Sequence, residues 1–135
     1  MKYIIIDDNI KYAERLLAEL KEEGDVISSE GFVLNELANE IQVRVKNESD
    51  TVLVININLK AKNSNRQEQK GVELLIWLRI KDILNHVVLY SFETLHSLLS
   101  RIPKHLIATS QGTTFVHLPE AFKDLQNNLS KKQKD

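Results

Sequence analysis

The chain has no cysteine, which excludes disulfide bonding and thiolate chemistry and fits a reducing compartment. Its four glycines are scattered, and none forms the loops that cradle phosphates or dinucleotides. No apolar run approaches the length needed to cross a bilayer. The opening run Tyr3–Ile6 is too short for a secretory signal and is closed by two acids. A cytoplasmic protein without a membrane partner is therefore expected. An excess of either charge is also missing. The 18 basic and 19 acidic residues leave a net charge of −1, so no global field draws in nucleic acid or anionic lipid, and a nucleic acid partner is not expected. The four histidines, at 86, 96, 105 and 117, lack the spacing of metal ligands.

What remains is an ordinary globular composition. The chain has 135 residues, 42% apolar and 27% charged, which is enough for one domain around a single core. Tyr3–Ile6 reads as a central strand buried on both faces. Asn9 then suits a helix N-cap, and Ile10, Ala13, Leu16, Leu17 and Leu20 follow at helical spacing, with Gly24 as the stop. Val26–Ser29 reads as a second strand, and Leu34, Leu37, Ala38, Ile41 and Val45 as a second helix. Val52–Ile57 is the most apolar strand. The polar stretch "LKAKNSNRQEQKG" leads from it to a third helix marked by Val72, Leu74, Leu75, Leu78 and Ile80. Val87–Ser91 is a fourth strand, Thr94–Arg101 a short helix and Thr114–His117 a fifth strand. Pro119 opens a last helix, with Phe122, Leu125 and Leu129 inward.

A strand and a helix thus alternate five times. That order predicts a (βα)5 doubly wound, five-stranded parallel sheet with helices on both faces. Reactive or binding groups of such a sheet gather at the carboxyl ends of its strands. Asp7 and Asp8 end the first strand, Asn56 and Asn58 the third, Ser91 and Phe92 the fourth, and His117 and Leu118 the fifth. Adjacent carboxylates at a strand end need partners or a hard cation such as Mg²⁺. The alternative is that one caps the next helix and the other stays solvated.

The segments "YIIIDDN", "VLVININL", "GVELLIWLR", "VVLYSF" and "FVHLPEAF", in that order, resemble the receiver domain of two-component response regulators. The resemblance covers nearly the whole chain. It implies a flavodoxin-like fold with strand order 2-1-3-4-5 over residues 1–130, with 131–135 a disordered tail or the start of a linker. It also implies a Mg²⁺-binding acidic pair at Asp7 and Asp8, a hydroxyl at Ser91 and a switch aromatic at Phe115. The pattern departs at four positions. Asn56 stands where the phospho-acceptor aspartate belongs, Leu118 where the lysine belongs, Phe92 where a small residue is usual, and Lys60 where a proline is usual.

A carboxamide is a poor nucleophile toward a phosphoryl donor, so acceptor chemistry at Asn56 fails. The losses of aspartate and lysine compensate in charge, since a lysine left without its aspartate would be a buried unpaired cation. The chain is therefore expected to be a pseudo-receiver. It would be a phosphorylation-independent protein-interaction module and not an enzyme, acting on a kinase, an effector or a second copy of itself as a homodimer. No cofactor is expected to be required. One alternative is a regulatory domain that binds weak Mg²⁺ or a small anion at Asp7, Asp8 and Ser91. Another is a small serine hydrolase built on Ser91, His117 and Asp7. Strand alternation turns His117 away if Leu118 faces the pocket, and the chain has no nucleophile elbow. The Lys60–Lys70 stretch reads as a solvated connection, with a docking loop for an acidic partner as the other reading. Trp77, Ile76 and Ile80 could form an exposed patch or belong to the core.

Overall fold

The computed structural model describes residues 2–20, 23–62, 70–91 and 113–117; the last group and Ser91 are described by backbone alone. Strand β1 spans Lys2–Asp7, helix α1 Ile10–Leu20, β2 Glu23–Ser28, α2 Leu34–Arg44, β3 Val52–Asn56, α3 Lys70–Ile80, β4 Val87–Ser91 and β5 Thr113–His117. The protein is α/β, with a parallel sheet in the order β2-β1-β3-β4, and the backbone of β5 pairs parallel with the outer side of β4. The helices expected over Thr94–Arg101 and after Pro119 lie outside the described residues.

The apolar runs of the central strands are explained by burial on both sides. Tyr3, Ile5, Val52, Val54, Val88 and Tyr90 face α1, which meets them with Ala13, Leu16 and Leu20. Ile4, Ile6, Leu53, Ile55, Val87 and Leu89 face the other way, toward Leu37, Ala38 and Ile41 of α2 and Val72, Leu74, Leu75 and Leu78 of α3. Each full burial of such a side chain stabilises the fold by about 1.5–3 kcal/mol relative to exposure. Odd-numbered positions of β1 and even-numbered positions of β3 and β4 share the α1 face. This parity carries three polar side chains to one corner of the sheet.

Helix α1 begins as its sequence indicates, with Asn9 Oδ1 accepting the Tyr12 N–H at 3.1 Å. The reading of Gly24 as a helix stop is corrected: α1 ends at Leu20, and Gly24 lies inside β2, beside Tyr3 of β1. A Cβ there would lie 2.6 Å from the Leu17 side chain and strike the Tyr3 carbonyl, so glycine is required by close packing. The outer face of α3 leaves Ile76 and Trp77 each 37% exposed and Ile80 66% exposed. Those three therefore sit at the surface, while Leu74, Leu75 and Leu78 form the buried side. No helix among the described residues is long and apolar enough to cross a membrane.

Candidate functional site

The site lies at the carboxyl edge, where β1, β3 and β4 run side by side. Ile6 pairs with Ile55, and Asn56 pairs with Tyr90. Asp7, Asn56 and Tyr90 are therefore neighbours at the same level and on the same face. Asp7 is only 1% exposed. Its Oδ1 accepts the Asn9 N–H at 3.2 Å and the Asn56 Nδ2–H at 3.3 Å, and its Oδ2 accepts the Tyr90 hydroxyl. Both carboxylate oxygens thus have protein donors, as a buried charge requires.

Asn56 is tied at both ends of its carboxamide. While Nδ2 donates to Asp7, Oδ1 accepts the Asn58 N–H at 2.9 Å. This Asx-type turn bends the chain out of β3. The strand ends at Asn56, so period-two alternation does not extend as a strand to Asn58. The Ile57 N–H still donates to the Tyr90 carbonyl at 2.9 Å, which holds the turn against β4.

Asp8 is half-buried and accepts the Lys60 N–H at 3.1 Å on Oδ1. Lys60 stands where the resemblance implies a proline, and a proline has no N–H to give. The same segment continues across the edge. The Ser29 hydroxyl donates to the Lys60 carbonyl, and the Lys62 N–H donates to the Phe32 carbonyl at 2.8 Å. Leu59 is fully buried and Ala61 is 5% exposed. The expectation of a solvated connection is thus corrected for its first residues. Residues 59–62 form a strap over the ends of β1 and β2, anchored by two apolar side chains that a polarity count passes over. Residues 63–69 lie outside the description.

Burial raises the Asp7 carboxyl above the ordinary carboxylate range, and Asp8 adds to the rise; the bonds from Tyr90, Asn9 and Asn56 oppose it. Burial, with the charge of Asp7, pushes the Tyr90 hydroxyl strongly upward, so it stays protonated and donates. Tyr12 is raised by burial and by the same carboxylate, and its ring meets that of Tyr90 at a centroid distance of 6.4 Å.

Of the residues singled out in the sequence, Asp7, Asp8 and Asn56 come together. Ser91 lies one residue beyond Tyr90, its backbone paired with His117, and its side chain lies outside the description. The Phe115 backbone pairs with Leu89, its side chain likewise outside, as are Phe92 and Leu118. Tyr90 was missed. Its signal was only parity, since a residue one before Ser91 shares a face with Asn56 only if the register is the one observed.

The Mg²⁺ implied by the resemblance fits this corner poorly. Hard divalent cations take several oxygen ligands. Here the two Asp7 oxygens, one Asp8 oxygen and the Asn56 oxygen already accept hydrogen bonds from the protein. Among the described residues, no group of three His, Cys, Asp or Glu side chains could hold a metal ion. A separate concavity of about 460 Å³ opens at the opposite edge, between the end of α2 and Lys81–Asn85, and contains none of these groups.

Comparison of the chain with protein-family models, curated proteins and solved structures finds no match.

Proposed function

We propose that the chain is a receiver-like regulatory domain of flavodoxin-like (βα)5 topology, cytoplasmic, that works by binding a protein partner and not by accepting a phosphoryl group. The observation that supports this most directly is the position of Asn56. It ends the middle strand of the described sheet, beside the first-strand carboxylate, where a phospho-acceptor would have to stand. Its nitrogen is committed to Asp7 and its oxygen to Asn58. An amide so engaged offers no nucleophile and gives no acyl phosphate. The partner is a kinase, an effector or a second copy of the chain. By the resemblance, the contact surface is the last helix, the fourth helix and the fifth strand, of which only the β5 backbone is described.

The test is exposure of the full chain to acetyl phosphate with Mg²⁺, followed by intact mass and amide NMR. The expected result is an unchanged mass and unchanged shifts. A stable phospho-adduct at any residue would overturn the proposal. In the same assay, Asn56→Asp should restore little phosphorylation, and Asn56→Asp with Leu118→Lys should restore more. If the single change suffices, charge compensation between the two positions is refuted.

A further inference from the structure

We infer that the Tyr90 hydroxyl takes the place of a cation at Asp7, making this edge a hydrogen-bonded joint that excludes Mg²⁺ while Tyr90 and Asn56 are both in place. The inference rests on the geometry of the edge and not on the receiver-like reading.

A buried carboxylate at a strand end must be neutralised, bound to a cation or surrounded by donors. Asp7 has the third arrangement. Two of its three donors bind Oδ1: the Asn9 N–H at 3.2 Å and the Asn56 amide at 3.3 Å. Among the described residues, the oxygen opposite them, Oδ2, receives the Tyr90 hydroxyl. Tyr90 is itself fully buried, in the same cluster as Val54 and Val88 and against the Tyr12 ring, so the hydroxyl cannot swing aside without disturbing the α1-facing core. A cation taking the position of that hydroxyl on Oδ2 would displace it and leave it buried without a partner. At the second carboxylate, the strap delivers the Lys60 N–H to Asp8 Oδ1. One phenol and one backbone N–H thus do at this corner what a hydrated ion does elsewhere.

The probe is Mn²⁺ alone, titrated into the full chain and read as paramagnetic broadening of the Asp7, Asp8 and Asn56 amides. For the wild type, no saturable broadening is expected at millimolar Mn²⁺. Tyr90→Phe keeps the ring against Tyr12 and frees Oδ2; it should bind at these amides at least about tenfold more tightly, in proportion to the loss of one hydrogen bond to a charged group. Saturable broadening in the wild type overturns the inference, as does a folded Tyr90→Phe protein that binds no better. If the variant is only marginally folded, Mg²⁺ should raise its thermal midpoint and leave that of the wild type unmoved. A variant midpoint that ignores Mg²⁺ also overturns the inference. These outcomes are independent of the phosphodonor assay, which can fail or succeed whatever Mn²⁺ does.

Discussion

The Tyr90 hydroxyl donates to Oδ2 of Asp7 across 83 residues of sequence, joining the end of β4 to the end of β1 past the intervening β3. The bond is buried, its acceptor is charged, and Asn56 of β3 completes it from the middle. Three adjacent strands are pinned at one level by side chains, in addition to their backbone ladders.

Tyr90→Phe is expected to lower unfolding free energy by about 1.5–3 kcal/mol, the usual worth of a hydrogen bond to a charged group. The ring and its contact with Tyr12 remain, so packing loss should be minor. Urea denaturation measures this. Combined with Asp7→Asn, the loss should be smaller than the sum of the two single changes, because the residues share the bond. Strict additivity would show that the bond contributes nothing.

Asp7→Asn is expected to flatten the pH dependence of stability. Burial raises the folded-state value of Asp7 above that of the unfolded chain, so the folded protein binds this proton more tightly. The sign follows: the ionised carboxyl works against folding above its folded-state value, and that cost fades as pH falls through the interval down to about pH 4. Asp8, Tyr12 and Tyr90 are the titratable groups near it among the described residues. Relative to Asp7→Asn, the wild type should gain stability on acidification through that window. A constant difference between the two proteins would contradict this.

Lys60→Pro and Lys60→Ala should separate backbone from side chain. Lys60 is exposed, so alanine should change stability by no more than about 0.5 kcal/mol. Proline removes the N–H that Asp8 accepts and should cost about 1–3 kcal/mol. Thermal melts of the two variants check this; equal midpoints would mean the strap is not held at that point.

Gly71→Ala should destabilise by about 1–3 kcal/mol, although alanine is the better helix former. A Cβ at 71 would lie 2.7 Å from the Ile57 Cα and strike the Asn56 carbonyl, both backbone atoms of the turn that carries the site. The Gly71 N–H also donates to the Ile57 carbonyl at 2.8 Å, which fixes α3 against that turn. Gly31→Ala is the control. Nothing lies within 4 Å of its added Cβ, and its effect should stay within about 0.5 kcal/mol. Equal losses in the two variants would remove the close-approach argument.

Sequence by itself determined the alternation of strands and helices as far as β4, the buried character of β1 and β3, the Asn9 cap and the position of Asp7, Asp8 and Asn56 at strand ends. These follow from local facts: apolar runs, helical periodicity and the polar residues that interrupt them. Only the tertiary structure decided the register that sets Tyr90 beside Asn56, the burial of Leu59 and Ala61 that turns a polar connection into a strap, and the use of Gly24 as a packing residue. Register is a pairing between segments far apart in the chain, and a one-residue slip would move Tyr90 to the opposite face. Which donor answers a buried carboxylate depends on that pairing, so it could not be read from either strand alone.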